Sequence, residues 1–221
     1  GLGDVYKRQA MSGVSFWGYD LGGFYNTGYI GNEERPNIED YLSSVQMGLW
    51  MPLSRAHGKT PREPWQYGDM ALKEVKKWIN FRHRLVPYLY HTACQTHQSG
   101  IPMIRPLVME YPKDPIAKIQ NLSYMLGDAL LISPGFDRDE YELYLPEGRW
   151  QDIESKEVYE GMTFVHIENK AFADGGTSLR VFQKEGTSIP LFAQKEVLHV
   201  PAQLWKQEDL EFMTFQKKDV D

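Results

Sequence analysis

Two short apolar runs alternate with two helical patterns in the first hundred residues, and this alternation constrains the fold more than any other feature. Residues 14–19, "VSFWGY", and residues 49–53, "LWMPL", are typical of buried strands. Apolar residues at helical spacing follow Pro36 up to Gly48, where a C-terminal cap is expected. A second helical pattern then runs to about residue 97. The series predicts parallel strands joined by right-handed crossovers.

Two strand–helix units do not make a domain, because their strands would have unpaired edges and their helices uncovered apolar faces. We therefore expect further units upstream. Pro87 should kink the second helix by removing one backbone hydrogen bond, and Gly100 should end it. Tyr90 and Cys94 fall on its apolar stripe and are expected to be buried.

The pattern changes after Gly100 to short apolar runs divided by Pro, Gly, Asp and Asn. This pattern predicts an antiparallel β-sandwich over residues 101–200, with "PEGR" and "YEGM" as hairpin turns. Residues 201–221 are expected to begin a further β segment. Residues 10–100 are assigned to the α/β part. The fold class is thus α/β followed by all-β.

The N-terminal residues 1–9, "GLGDVYKRQ", have no initiator Met, no apolar signal region and no periodicity. "DVYKRQ" is also what a transposon-end sequencing adapter encodes in one reading frame. We predict that this segment is non-native read-through, with an ordinary N-terminal segment as the alternative.

Composition excludes several partners. The net charge of −6 argues against nucleic acid and anionic membranes, and no apolar run approaches the roughly 18 residues of a spanning helix. His83, His91 and His97 lack a metal-binding spacing, so neither a metal nor a cofactor is predicted. The single cysteine excludes an internal disulfide and leaves the compartment undecided, with a lean toward the cytoplasm.

Asp20 and His57 each lie just past the C-terminal end of a predicted parallel strand. If the strands are neighbours, their axes lie about 4.8 Å apart and both side chains reach one mouth, where ligands of parallel α/β folds bind. The alternatives are a turn aspartate accepting the N–H groups of Gly22 and Gly23, and a histidine bonded to local backbone.

Several motifs agree in order: "SGVSFWGYDLGGF", "WMPLSRAHG", "REPWQYG", "RHRLVPYLYHTACQTHQSGIPMIRPL", "YMLGDALLISP" and "YLPEGRWQDI". Over roughly residues 11–160 the chain resembles glycoside hydrolase family 31, the family of α-glucosidases and α-xylosidases. The resemblance implies the last two units of a (β/α)8 barrel followed by a β-sandwich. It also implies retaining hydrolysis of α-linked sugars, which needs two carboxyl groups about 5–5.5 Å apart.

In the family both catalytic groups are aspartates on strands that precede the "FWGYDLGGF" segment, so no catalytic residue is assigned to this chain. Asp4 is not assigned as the acid/base, because it lies too close to Asp20 in the sequence and within the suspected adapter. The resemblance implies that Asp20 and His57 bind hydroxyls of the ring in the −1 subsite. Trp17 and Phe24 are candidate pocket walls, with barrel core as the alternative for Trp17.

Arg55 is expected to fix a loop by an ion pair, with Glu63 as a possible partner. The chain is therefore expected to be a fragment of a retaining α-glycosidase acting on oligosaccharides or small glycosides, and inactive alone. An α-glucan lyase or transglycosylase on the same scaffold, or a noncatalytic carbohydrate-binding relative, are the alternatives.

Overall fold

The computed structural model describes residues 8–24, 36–59, 61–135, 139–168, 179–193 and 202–217. Of the segment expected to be non-native, residues 1–7 lie outside these ranges, and residues 8–11 are helical. Among the described residues after residue 11, the first part of the chain contains two strands and three helices: β1 (Gly18–Asp20), α1 (Ile38–Gly48), β2 (Leu53–Arg55), α2 (Asp69–Arg84) and α3 (Val86–Ser99). A 3₁₀ turn, Pro64–Tyr67, precedes α2.

β1 and β2 pair in parallel, with Gly18 opposite Leu53 and Asp20 opposite Arg55. The predicted parallel arrangement is confirmed, but the strands lie further along the chain than residues 14–19 and 49–53. The expected burial of the two runs holds only in part: Trp17, Trp50 and Met51 pack into the core from segments without regular structure, whereas Val14, Phe16 and Leu53 are exposed. Apolar content signalled burial there, and burial does not require sheet pairing.

α1 forms where its pattern predicted it, with the Asn37 side chain accepting the Asp40 N–H at 2.8 Å as N-cap. The expected role of Gly48 is wrong. Gly48 is the last residue of the helix, and Leu49 caps it in a right-handed conformation. A Cβ at Gly48 would lie 2.4 Å from Leu21 Cδ2 and 2.5 Å from Tyr19 Cδ1, so this glycine allows α1 to pack against β1 and its loop.

The expected break near Pro87 is present, because the helical pattern divides at Leu85 into α2 and α3. Gly100 ends α3 in the left-handed conformation, with φ of 75°. The expected burial of Tyr90 and Cys94 is wrong, since both are exposed. The buried face of α3 instead carries Pro87, Tyr88, Leu89, Thr92 and Thr96.

The second part of the chain is mostly antiparallel β structure, as predicted. Its elements are β3 (Ile104–Pro106), the short helices α4 (Leu107–Glu110) and α5 (Pro115–Ile119), and the strands β4 (Tyr124–Leu126), β5 (Leu130–Pro134), β6 (Glu140–Leu145), β7 (Arg149–Asp152), β8 (Val158–Glu160), β9 (Thr163–Glu168), β10 (Leu179–Lys184), β11 (Thr187–Phe192) and β12 (Leu210–Phe215). One sheet has the order β3-β4-β5-β10-β7-β8, and β6 pairs with β9 and β11 with β12.

The two predicted hairpin turns are wrong in detail. "PEGR" joins β6 to β7 and "YEGM" joins β8 to β9, and in both cases the two strands belong to different sheets. The turns contact each other, because Gly161 N–H donates to Gly148 O at 2.7 Å. A turn sequence predicts a change of direction, but it does not determine which strand becomes the partner.

Three apolar clusters form the core. One lies within the first part and includes Leu42 and Val45. A second lies between the six-stranded sheet and the β6–β9 pair and includes Trp150. The third joins the two parts, since Trp50, Leu85 and other barrel residues pack with residues of β3–β5, β10 and β11. No described helix is both long and apolar enough to cross a membrane.

Candidate sugar-binding site

The C-terminal ends of β1 and β2 bring Asp20 and Arg55 together. The two residues are opposite in the strand register, and Arg55 Nε donates to Asp20 Oδ1 at 2.6 Å. Arg55 therefore pairs with Asp20, and not with Glu63 as expected from the sequence. The Asp20 side chain is 20% exposed and that of Arg55 67% exposed, so the pair lies at the surface, at the C-terminal ends of the two strands.

The turn after β1 is held by backbone and hydroxyl groups. Gly23 N–H donates to the backbone oxygen of Asp20 at 2.8 Å, and Gly22 N–H donates to Ser44 Oγ at 3.1 Å. The carboxylate of Asp20 therefore does not cap this turn, in contrast to the alternative considered from the sequence. Its Oδ1 is bound by Arg55, and the side chain keeps part of its surface exposed.

Tyr19 lies beside this turn, and its hydroxyl is 3.0 Å from Ser44 Oγ. Burial raises the pKa of Tyr19, the Ser44 hydrogen bond lowers it, and the charge of Asp20 raises it. The phenol is therefore neutral at physiological pH.

His57 lies two residues past β2 and is exposed, next to the loop that follows β1. Its ring centroid is 5.1 Å from that of Phe24, with the rings tilted by 46°. Phe24 itself is half-buried. The structure thus brings Asp20, Phe24 and His57 to the same end of the strand pair.

Trp17 is placed differently from these three residues. It is 8% exposed and packs in the core cluster that joins the two parts of the chain. This position matches the core alternative that the sequence left open. Arg82 supports the same region from α2 by donating to the backbone oxygens of Leu49 and, at 3.0 Å, Pro52. Burial lowers the pKa of Arg82 to about 10.

Sequence reasoning missed Arg62, which lies in the loop after β2 and is 6% exposed. Its guanidinium donates to the backbone oxygens of Gly23 at 2.7 Å and Phe24 at 3.3 Å. Backbone acceptors carry no side-chain signature, so nothing in "TPREPW" indicated this contact. The Ser44 contact was equally hidden, because α1 presents it from a distant part of the sequence.

Two other features lie away from this mouth. A cavity of about 450 Å³ between α1, α2 and the six-stranded sheet is lined by residues such as Trp50, Phe81 and Val181, and by none of the four candidate sugar-binding residues. Among the described residues, no group of three or more His, Cys, Asp or Glu side chains could hold a metal ion.

Two family models match the chain. The glycosyl hydrolases family 31 TIM-barrel domain matches residues 7–92, and the glycosyl hydrolase family 31 C-terminal domain matches residues 100–196. The matches follow one another in the order of the α/β part and the β part of the structure.

Curated relatives share about a third of their residues with the matched part of the chain. Alpha-glucosidase 2 of Bacillus thermoamyloliquefaciens is 33% identical over 86% of this chain and 23% of its own length. The 1,6-alpha-glucosyltransferase of Sporosarcina globispora is 32% identical over 84% of this chain and 14% of its own length. An alpha-xylosidase of Saccharolobus solfataricus is 31% identical over 84% of this chain and 25% of its own length. The chain thus spans a quarter or less of these three relatives.

Solved structures agree with this assignment. A Listeria monocytogenes protein solved with α- and β-D-glucose, magnesium and calcium superposes with a TM-score of 0.80 at 30% identity, over 95% of this chain and 20% of its own. A dextranase of Flavobacterium johnsoniae solved with glucose has a TM-score of 0.73 at 29% identity, over 85% of this chain and 23% of its own. The chain is thus a partial barrel followed by a β-sandwich, and it belongs to glycoside hydrolase family 31.

Proposed function

We propose that this chain carries the sugar-holding side of the −1 subsite of a retaining α-glycosidase that hydrolyses α-linked glucosides or xylosides. The observation that carries the proposal is the convergence of Asp20, Phe24 and His57 at the C-terminal ends of two adjacent parallel strands. This is the end at which barrel enzymes bind their substrates.

Each side chain suits a pyranose. The partly exposed carboxylate of Asp20 is a charged acceptor for a sugar hydroxyl, and such hydrogen bonds contribute about 1.5–3 kcal/mol. His57 is exposed and provides a ring nitrogen for a second hydroxyl. Phe24 offers an apolar ring face. Trp17 would support this wall from the core.

The bond-breaking groups are proposed to lie upstream. Retaining hydrolysis requires two carboxyl groups about 5–5.5 Å apart. One oxygen of Asp20 already accepts a hydrogen bond from Arg55 in an ion pair, which suits a binding role better than that of a nucleophile. We therefore expect the full-length protein to supply both the nucleophile and the acid/base from earlier barrel strands.

The test compares the 221-residue chain with a protein extended by its upstream coding sequence. The extended protein should hydrolyse p-nitrophenyl α-glucoside or α-xyloside, and the chain alone should not. In the extended protein, Asp20→Asn should lower kcat/KM about 10- to 100-fold, because a neutral acceptor replaces a charged one. Exposed Asp139 gives the control Asp139→Asn, which should change nothing. Turnover by the chain alone would contradict the proposal.

Transglycosylation is the second candidate, since one relative is a 1,6-alpha-glucosyltransferase and one structural neighbour a cycloalternan-forming enzyme of Listeria monocytogenes. The two reactions differ in whether water or a sugar hydroxyl resolves the glycosyl-enzyme. Incubating the extended protein with maltose separates them, since hydrolysis releases only glucose and transfer also forms longer saccharides. A lyase would form an unsaturated product. An upstream sequence without the two aspartates would favour a noncatalytic binding role.

A further inference from the structure

Arg62 is a deeply enclosed cation near the candidate site, with 6% of its surface exposed. Besides the contacts to Gly23 O and Phe24 O, its Nη1 donates to its neighbour Pro61 O at 3.4 Å. A buried guanidinium is costly unless its donors are satisfied, and here each of its three nitrogens donates to a backbone oxygen. Arg62 therefore ties the loop after β2 to the loop after β1.

The backbone of Arg62 is itself fixed. Tyr41 of α1, which is 1% exposed, donates its hydroxyl proton to Arg62 O at 2.8 Å. The Tyr41 ring stacks on Tyr67 with centroids 3.8 Å apart. Burial is the main cause that raises the pKa of Tyr41 to about 12, so the hydroxyl remains a donor at physiological pH.

The space around the guanidinium is closed. A Cβ at Gly58 would lie 2.8 Å from Arg62 Nε and 2.9 Å from Phe24 O, and a Cβ at Gly22 would lie 3.0 Å from Arg62 Cδ. Lys59 N–H also donates to Phe24 O at 3.1 Å. The carbonyl of Phe24 is thus held from several sides, and its ring lies beside His57.

We propose that Arg62 is a positioning residue that holds Phe24 against His57 and so keeps the two loops in register at the sugar-binding end of the strands. The proposal deepens the function proposed above and rests on it. Arg62 acts on the sugar only through Phe24, His57 and the turn that follows Asp20.

The first experiment needs no enzymatic activity. The Phe24 ring should shift the imidazole proton resonances of His57 in NMR spectra of the 221-residue chain, and Phe24→Leu gives the unshifted reference. His57→Gln assigns the signal among the six histidines. Arg62→Ala should move the signal at least halfway to the reference, and millimolar guanidinium should partly restore it. Arg62→Lys should shift the His57 signal by an intermediate amount, since an ammonium group cannot reproduce the planar set of guanidinium donors.

Arg105 provides the matched control. It is also 6% exposed and donates to a backbone oxygen, that of Gly127, at 2.9 Å, but it lies in the β part. Arg105→Ala should leave the His57 signal in place. If Arg62→Ala does not fold, Arg62→Lys decides. A folded Arg62 variant with an unmoved His57 signal would overturn the proposal.

The second experiment uses the extended protein. Arg62→Ala should raise KM about tenfold with a smaller change in kcat, because a displaced pocket wall weakens binding in the ground state and the transition state alike. Guanidinium should lower KM again for this variant and not for Arg105→Ala. An unchanged KM would overturn the link to sugar binding. An inactive extended protein would overturn the proposed function, and the His57 signal would still decide the role of Arg62.

Discussion

The barrel part and the sandwich part bury their apolar surface in different ways. The sandwich has a six-stranded sheet and its own cluster around Trp150, and it also contributes β3–β5, β10 and β11 to the cluster that joins the two parts. Within the described residues the barrel part has one pair of three-residue strands, and its buried apolar side chains divide between its own cluster around Leu42 and the shared cluster with β3–β5 and β10. Because a two-stranded sheet of this length is marginal without further packing, we expect the stability of the barrel part to depend on the sandwich more than the reverse.

The largest effect should come from opening the sandwich core. Trp150 is 0% exposed, and its Nε1 donates to Pro146 O at 2.8 Å. Trp150→Ala should lower the free energy of unfolding by about 3–5 kcal/mol in urea titrations followed by circular dichroism. Hydrogen-exchange protection should fall in both β5 and α1. Trp65→Ala is the control, since Trp65 is 62% exposed and its loss should cost less than about 0.5 kcal/mol.

The reverse experiment opens the barrel part. Gly48→Ala should destabilise by about 2–3 kcal/mol, because the added methyl overlaps Leu21 and Tyr19. Exchange protection should fall in α1 and stay unchanged in β5. Gly18→Ala is the control, because its nearest atom would be Leu53 Cβ at an ordinary 3.7 Å. Equal loss of protection in β5 would show that the dependence runs both ways.

The boundary between the two parts can be tested by pH. Tyr88 of α3 donates its hydroxyl proton to Leu126 O at 2.6 Å and accepts from Ala129 N–H at 3.2 Å. Burial raises the pKa of Tyr88 from 10.0 to about 12. The folded state therefore keeps a proton that the unfolded state releases above pH 10, so this stability is complete below pH 10 and is lost as pH rises through 12.

Urea titrations from pH 8 to 12 check this expectation. The stability advantage of the parent over Tyr88→Phe should shrink by about 2 kcal/mol by pH 12. Tyr90→Phe should show no such change, because Tyr90 is 46% exposed. A constant difference between parent and Tyr88→Phe would mean that the hydroxyl at this boundary does not titrate with folding.

The smallest effect is expected at the mouth. Arg55→Ala should change the free energy of unfolding by less than about 1 kcal/mol, because the Arg55 side chain is 67% exposed and water screens the pair with Asp20. Urea titrations of the parent and of Arg55→Ala at low and at high salt measure this contribution to the free energy of unfolding. A loss well above this value would show that the barrel part relies on the pair of Arg55 with Asp20 for stability.

Local rules predicted much of this fold from the sequence. The helical spacing after Pro36, the break before Pro87 and the antiparallel character of the second part all follow from short-range pattern. The exposed positions of Tyr90 and Cys94 were missed because the pattern was interpreted as one continuous helix with a single apolar face. The break at Leu85 changes which residues of α3 face inward.

The site was predictable only in part. Strand order placed Asp20 and His57 near each other, since parallel neighbours end at one edge. The partner of Arg55 depends on strand register, and the contacts of Arg62 and Ser44 are made to backbone groups. Residue types and their spacing reveal neither the strand register nor contacts to backbone groups, so these contacts could be identified only from the structure.

The break at Leu85 has a consequence for chain length. α2 begins beside the first cluster, while α3 presents Tyr88 to the sandwich, and only Leu85 separates the two helices. Each residue advances a helix by about 100°, so one inserted residue in α2 would rotate everything after it by more than a quarter circle. Relatives should therefore have few insertions or deletions in this stretch even where its residues differ, because an insertion would turn the face of α3 that carries Tyr88 away from the sandwich.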